Sequence, residues 1–194
     1  MTIRKWKTKT QKELMSLGYF RLREDMCELP DGRIMPRYFV LEFPDWVNVV
    51  PVTQDGQMVL IEQYRHASGE IHLELPGGAV TPAQAGSVSL QAHASEDPKR
   101  AALRELTEET GYVPEDVRLI HRHYPNPALQ NNCQWVYVAT GCRLLESPRL
   151  DPFEDIRVIT MPIPKVYELL KNGAINHSLM VASLYSAQEF LGVR

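Results

Sequence analysis

Three glutamates between positions 104 and 111 have a spacing that allows them to act together. On an α-helix, Glu105, Glu108 and Glu109 fall within an arc of about 100°. Residues three and four positions apart are neighbours on a helix, so these like charges repel one another by roughly 0.2–0.5 kcal/mol per pair. Carboxylate oxygens are also the ligands that hard cations such as Mg²⁺ prefer. The spacing therefore indicates either a divalent-cation site or an acidic helix face in solvent, and it does not decide between them.

A short helix must position these glutamates. Pro98 just inside its start and Gly111 just past its end predict a helix over 98–110. Asp97 or Ser95 is the predicted N-cap, and Gly111 is predicted to end the helix in the left-handed conformation. The helix also has an apolar face that can pack on a core, formed by Ala102, Leu103 and Leu106.

The rest of the chain reads as short strands and two late helices. Strands are predicted over 46–52, 57–65, 71–75, 117–120, 134–139 and 156–161, and helices over 164–171 and about 178–190. Gly77 and Gly78 predict a tight turn at which the backbone can approach a ligand closely. This order of elements predicts an α+β fold, an α/β/α sandwich on a mixed central sheet.

Residues 1–45 are predicted to form a separate β extension before a main domain at 46–194. Segments 19–23 and 37–43 have the aromatic and β-branched composition of strands, and a turn signal at 29–32 lies between them. A small antiparallel sheet is only marginally stable alone. It must therefore pack on the main domain or on a second copy of the chain.

Composition and charge exclude several classes of function. A net charge of -3 gives no general attraction to nucleic acid or to an anionic membrane. The three cysteines lack CxxC spacing, which favours free thiols in a reducing cytosol over disulfides or a zinc site. No segment has the roughly 18 uninterrupted apolar residues of a membrane span. The sequence thus predicts a cytoplasmic protein without a membrane or nucleic-acid partner.

The glutamate segment and one residue upstream together resemble the Nudix box of the Nudix hydrolases. In family terms this box is GX5EX7REUXEEXGU, where U is an apolar residue. The matching positions are Glu96, Arg104, Glu105, Leu106, Glu108, Glu109 and Gly111, with Tyr112 as a loose match at the end. The motif is specific because its strand, loop and helix context is also present.

The first glycine of the box does not stand at its usual place. Gly78 is the natural candidate, which leaves 17 residues between it and Glu96 where the family has five. We interpret the difference as a 12-residue insertion in the loop at 79–95, next to the predicted metal site. The alternative is a degenerate box that has lost its glycine.

Other segments resemble the ADP-ribose and nucleoside-diphosphate-sugar pyrophosphatase branch of the family. They are Glu-Gln-Tyr-Arg at 62–65, Leu-Glu-Leu-Pro-Gly-Gly at 73–78 and the stretch 151–158. The resemblance covers about residues 45–190 and implies the Nudix fold, with residues 1–45 as a homodimerising extension. It also implies Mg²⁺-dependent hydrolysis, with Mn²⁺ as the alternative ion, of the pyrophosphate bond of ADP-ribose or another nucleotide sugar. The products would be a nucleoside monophosphate and a sugar phosphate.

The resemblance assigns metal-binding roles within the box. Glu105 and Glu109 would bind the ion, and Glu96 and Glu108 would complete or support the site. The main-chain carbonyl of Gly77 is the implied extra ligand. For Glu108, a surface ion pair with the residue four positions before it remains open as an alternative.

The resemblance also implies roles for residues around the metal. Arg104 would pair with Glu96 and hold the loop on the catalytic helix. Glu154, in a late loop, would be the general base, with Asp155 as a weaker candidate and an exposed loop acid as the alternative. Arg65 would clamp a phosphate, since a guanidinium matches phosphate bidentately; the alternative is a surface arginine on an edge strand.

Candidates for substrate recognition are less specific. Trp46 and Tyr64 are the candidates to stack a base, a contact worth roughly 1–3 kcal/mol in nucleic-acid complexes, as are Tyr19 and Phe20. Each aromatic has core or dimer packing as the alternative. The amides around Gln130 and Asn132 can hydrogen-bond a sugar or base, or simply stabilise an irregular loop.

Two other functions are compatible with this fold. One is a nucleotide-sugar-binding regulator that has lost catalysis, against which the intact glutamate set argues. The other is a pyrophosphohydrolase that acts on another nucleoside diphosphate derivative or on an RNA 5′ end. A protein that acts on RNA requires a basic surface to bind the phosphates, and the net charge of -3 does not support such a surface.

Overall fold

The computed structural model describes residues 2–80 and 96–193 of the chain. Apart from Ala79 and Val80, the interpreted insertion at 79–95 lies outside the described residues, as does the cap candidate Ser95. The described part forms two β-sheets and three α-helices.

The N-terminal sheet has three antiparallel strands in the order β1-β2-β3. The strands are β1 (Lys7–Leu17), β2 (Phe20–Glu28) and β3 (Ile34–Glu42). The sequence predicted the last two of these, but it missed β1. Every residue of β1 is exposed and most are polar, so the segment lacks the apolar alternation that marks a half-buried strand.

The main sheet is mixed, as predicted, because β4 and β10 run parallel at its centre while the other pairs are antiparallel. The order is β11-β5-β4-β10-β8, with β6 on β5, β7 on β4 and β9 on β10. The strands are β4 (Trp46–Thr53), β5 (Gln57–Arg65), β6 (Glu70–Glu74), β7 (Gly77–Ala79), β8 (Tyr112–Val113), β9 (Asp116–His123), β10 (Gln134–Leu144) and β11 (Ile156–Pro162).

Helices cover both faces of the main sheet, which confirms the predicted α/β/α sandwich. The helices are α1 (Pro98–Thr110), α2 (Ile163–Lys171) and α3 (Ser178–Gln188). Successive side chains of a strand point to opposite faces. In β4, Val47 therefore packs with Leu106 of α1, whereas Val50 packs with the core of α2 and α3.

The helix α1 has the predicted bounds and caps. The Asp97 side chain accepts a hydrogen bond from the backbone N–H of Lys99 at 2.9 Å. Gly111 follows the helix with a φ of 74°, and its N–H donates to the carbonyl of Thr107. A Cβ at Gly111 would collide with the carbonyl of Glu146, so a glycine is required there for space as well as for conformation.

The tight turn predicted at Gly77 and Gly78 is wrong, because both glycines belong to β7. The strand pairs antiparallel with β4, Gly77 opposite Asn48 and Gly78 opposite Val47. A Cβ at Gly77 would collide with the carbonyl of Val47, and one at Gly78 with the carboxylate of Glu105. These glycines thus allow close contact of β7 with β4 and with α1.

Candidate active site

A cavity of about 840 Å³ lies where α1, β7, the loop after β10 and the start of α3 meet. Eight residues singled out from the sequence line it: Trp46, Arg65, Gly77, Arg104, Glu105, Glu108, Glu109 and Glu154. Residues from five separate segments of the chain are therefore brought to one place by the fold.

Glu109 is the most deeply buried of the α1 glutamates that line this cavity, with 4% of its surface exposed. Its Oε2 accepts a hydrogen bond from the backbone N–H of Gly77 at 2.8 Å. Burial raises the pKa of Glu109 to about 8, and the negative charges of Glu105 and Glu154 add to the shift. The Gly77 hydrogen bond and the charge of Arg65 act in the opposite direction.

Glu105 is held in a similar environment one helical turn earlier. Burial raises its pKa, the charges of Glu108 and Glu154 raise it further, and Arg104 offsets part of the shift. Glu105, Glu109 and Glu154 therefore repel one another across the cavity. A cation between them would relieve this repulsion.

Arg104 connects α1 to the segment before it. Its Nε and Nη2 donate to the two carboxylate oxygens of Glu96 at 3.2 and 3.1 Å, and its Nη1 donates to Glu105 at 2.9 Å and Glu108 at 3.1 Å. Nη2 also donates to the carbonyl of Ala79 at 3.2 Å. The arginine thus links β7, the residue before the helix and the acidic face of the helix itself.

Within residues 2–80 and 96–193, no three His, Cys, Asp or Glu side chains converge as a ready-made set of metal ligands. The reason is visible in the hydrogen bonds: Arg104 binds oxygens of Glu105 and Glu108, and Gly77 donates to Glu109. The donor chemistry nevertheless fits a hard divalent cation. The carboxylates of Glu105, Glu109 and Glu154 repel one another, and among the described residues no arginine or lysine side chain donates a hydrogen bond to Glu109.

Glu154 reaches the cavity from the loop between β10 and β11. It is partly buried, and its Oε2 accepts a hydrogen bond from the backbone N–H of Asp151 at 2.9 Å. Asp155, the weaker candidate for the general base, is exposed and does not line the cavity.

Arg65 lines the cavity from the end of β5, opposite α1. It forms a two-pronged ion pair with Glu74 of β6, from Nε to Oε1 at 3.0 Å and from Nη2 to Oε2 at 2.6 Å. His177, the residue before α3, places its Nδ1 3.3 Å from Oε1 of Glu74. The sequence reasoning did not single out Glu74 or His177. The only local signal was an acid at 74 in a strand of alternating polarity.

Three of the predicted substrate-binding residues lie away from the described lining of the cavity. Tyr64 is 52% exposed and contacts His66, because it points to the face of β5 opposite Arg65. Asn132 is buried and donates to the carbonyl of Pro44 at 3.1 Å, and Gln130 pairs with Leu41.

A second group of polar side chains lines the cavity near Glu74. Ser68 Oγ lies 2.8 Å from Nε2 of His72, and Nδ1 of His72 lies 3.2 Å from Oδ1 of Asn176. All three residues line the cavity beside Leu179 and Met180. Sequence reasoning missed this group, since its members come from a short turn, from β6 and from a loop more than 100 residues later.

The comparison with known proteins decides the family. Residues 43–184 match the NUDIX domain. The chain belongs to the Nudix family. As predicted, it is therefore a member of a hydrolase family.

Relatives confirm the resemblance to the ADP-ribose pyrophosphatase branch. This Nudix chain is 28% identical over 170 residues to an ADP-ribose pyrophosphatase of Bacillus subtilis, covering 87% of this chain and 85% of that one. It is also 28% identical over 183 residues to a methanol dehydrogenase activator of Bacillus methanolicus, covering 94% and 92%.

Solved structures confirm the fold. The crystal structure of an ADP compounds hydrolase superposes with a TM-score of 0.81 at 21% identity, covering 99% of this chain and 97% of that one. Among the described residues, no helix has the length and apolar composition needed to cross a membrane.

Proposed function

We propose that this Nudix protein hydrolyses the pyrophosphate bond of ADP-ribose or another nucleoside diphosphate sugar, with Mg²⁺ or Mn²⁺ as cofactor. The observation that carries the proposal is the cavity in which Glu105, Glu109 and Glu154 face Arg65. It combines mutually repelling carboxylates, which suit a cation, with a guanidinium, which suits a phosphate. One relative that aligns over 87% of this chain is named an ADP-ribose pyrophosphatase.

In this proposal Glu105 and Glu109 hold the metal, with Glu96, Glu108 and the carbonyl of Gly77 in supporting roles. When bound, the ion supplies charge neutralisation for the pyrophosphate and a lowered pKa for the attacking water. Phosphoryl transfer depends chiefly on such positioning and charge stabilisation.

The remaining residues act on the substrate itself. Glu154 accepts the proton of the attacking water, and Arg65 binds a phosphoryl group from the opposite wall. Trp46 lines the cavity and offers an aromatic surface to the base. The polar group of Ser68, His72 and Asn176 offers hydrogen-bonding atoms to a hydroxylated sugar.

A panel of nucleotide sugars and dinucleotides tests this function. Release of phosphate in the presence of a phosphatase is measured with Mg²⁺, with Mn²⁺ and with a chelator. We expect metal-dependent release from ADP-ribose or a related nucleotide sugar, with a nucleoside monophosphate as one product. Absence of turnover for every member of the panel would refute the enzyme proposal.

A regulator is the second candidate, because one relative that aligns over nearly its whole length is named an activator. In this case nucleotide sugars would raise the melting temperature of the chain without being hydrolysed. The same panel, followed by thermal unfolding, separates the two functions. Hydrolysis with ordinary turnover numbers argues for the enzyme.

We also propose that residues 1–45 form a homodimer interface, with 46–194 as the Nudix domain. The support is a set of large apolar side chains exposed on the N-terminal sheet and just before it, namely Trp6, Leu14, Met15, Leu17, Ile34 and Phe39. Exposed apolar groups of this number favour a partner surface. Sedimentation of the variant Leu14→Lys, Leu17→Lys should show a monomer; an unchanged dimer would place the interface elsewhere.

We also propose that the protein is located in the cytoplasm. Cys27, Cys133 and Cys142 are free and buried. Unpaired thiols are usual in a reducing compartment.

A further inference from the structure

Glu74 is the point at which three parts of the cavity wall meet. It is 1% exposed, and its two carboxylate oxygens receive separate hydrogen bonds from Arg65 of β5. The imidazole of His177, just before α3, lies against the same carboxylate at 3.3 Å. One buried acid of β6 therefore joins β5 to the start of α3.

Arg65 stands among acidic groups and binds only one of them. The negative charges of Glu109 and Glu154 act on it, yet within the described residues its guanidinium donates hydrogen bonds to Glu74 alone. Arg104 behaves differently, because it binds the carboxylates of α1 directly. A guanidinium close to a carboxylate readily forms a two-pronged pair. The fold must therefore keep Arg65 away from Glu109 and Glu154.

We propose that Glu74 is a positioning residue for Arg65, one that keeps the guanidinium off the metal-binding side of the cavity. By binding Nε and Nη2, Glu74 leaves Nη1 without a hydrogen bond to any described residue. That free edge of Arg65 is available to a phosphoryl oxygen of the substrate. The inference rests on the proposed function, since it takes the metal and the diphosphate to bind in this cavity.

The ionised state of Glu74 supports this role. Burial by itself would raise the pKa of Glu74, but the close contact with His177 and the hydrogen bonds from Arg65 outweigh burial and hold it at about 2. The carboxylate is therefore charged at neutral pH. A neutral side chain at 74 would release Arg65 to pair with Glu109 or Glu154, and the released guanidinium would compete with the cation for them.

The first test is Glu74→Gln, with direct binding of Mn²⁺ in the absence of substrate as the main measurement. Free Mn²⁺ is counted by electron paramagnetic resonance. We expect the dissociation constant for Mn²⁺ to rise about tenfold, equivalent to about 1.4 kcal/mol. The KM of the nucleotide sugar should rise more than kcat falls, because the phosphate clamp is misplaced. Unchanged Mn²⁺ binding in folded Glu74→Gln would overturn the proposal.

The matched control is Glu62→Gln, which removes another carboxylate that is paired with an arginine of a neighbouring strand. Glu62 binds Arg157 at the surface and does not line the cavity. We expect Mn²⁺ binding and KM to match the wild-type chain. An equal loss of Mn²⁺ binding in this control would mean that overall charge explains the effect, and would overturn the role of Glu74.

The double variant E74Q/R65Q tests whether Glu74 acts through Arg65. It replaces the buried ion pair with two neutral amides, so it remains informative if Glu74→Gln alone does not fold. We expect Mn²⁺ affinity equal to that of the wild-type chain, because no guanidinium remains to be held back. Weak Mn²⁺ binding in the folded double variant would show that Glu74 acts independently of Arg65. These binding results do not need turnover, so they stand apart from a failure of the proposed hydrolysis.

Discussion

Two carboxylates of this protein are almost equally buried but have opposite surroundings. Glu42, at the end of β3 in the N-terminal sheet, is 2% exposed, and Glu109 on α1 is 4% exposed. Glu42 forms ion pairs with both Arg21 and Arg23. A buried carboxylate with two arginines is already neutralised by the protein.

Within residues 2–80 and 96–193, no arginine or lysine donates a hydrogen bond to Glu109. Its hydrogen bond comes from the backbone N–H of Gly77, and two other glutamates repel it across the cavity. Burying a charge without a paired cation is unfavourable. Similar burial thus marks a structural acid in one region and, in the other, an acid whose charge is left for a ligand.

The largest expected effect comes from Glu109→Gln. Because the variant removes a proposed metal ligand, turnover should fall about 10³-fold, or about 4 kcal/mol of transition-state stabilisation. Above about pH 8, where Glu109 is ionised, the melting temperature without metal should hold or rise, because an unfavourable buried charge is gone. Phosphate release and thermal unfolding measure the two effects. A collapse of the fold would instead make Glu109 a structural acid like Glu42.

Glu42→Gln should show the reverse pattern. It leaves Arg21 and Arg23 without a full counter-charge, and breaking a largely buried pair of this kind costs about 3 kcal/mol of unfolding free energy. Turnover per folded molecule should stay unchanged, since Glu42 does not line the cavity. Urea unfolding and steady-state kinetics are the measurements. Loss of turnover in folded protein would contradict the comparison.

The pH dependence of stability should also separate the two regions. The pKa of Glu109 is raised from 4.5 to about 8 in the folded chain. Its contribution to stability is therefore full below about pH 4.5 and is lost as pH rises towards 8. Urea unfolding in a chelator should show this loss, and Mg²⁺ should reduce it. An identical pH profile for Glu109→Gln would disprove the assignment.

Glu62→Gln gives the smallest expected effect. The pair of Glu62 with Arg157 lies at the surface, the arginine being mostly exposed. Solvent screens such pairs, so the expected loss of unfolding free energy is at most about 1 kcal/mol. Urea unfolding tests this value. A loss as large as that of Glu42→Gln would mean that burial does not govern the strength of these pairs.

Much of the main domain could be predicted because its signals are local. Pro98, Asp97 and Gly111 mark the ends of α1 through contacts within a few residues, and the structure confirms these bounds. The strand β1 has no such signal, since its polar residues are exposed on every side. The glycines at 77 and 78 were misread because their reason is close packing against β4 and Glu105, which are distant in the chain.

The candidate site divides in the same way. Glu105, Glu108 and Glu109 belong to one helix, so their spacing was enough to group them. Tyr64 is next to Arg65 in sequence but points to the opposite face of its strand.

The sequence by itself determined the family, the acidic helix and its caps, and the set of carboxylates that suits a cation. Only the tertiary structure decided which carboxylates are neutralised and which are not. In the folded chain, Glu42 forms ion pairs with two arginines and Glu74 forms one with Arg65. Glu109 accepts a hydrogen bond from a backbone N–H. The physical reason is range: helix spacing and capping act over a few residues, whereas the charge around a buried acid is set by segments that folding brings together.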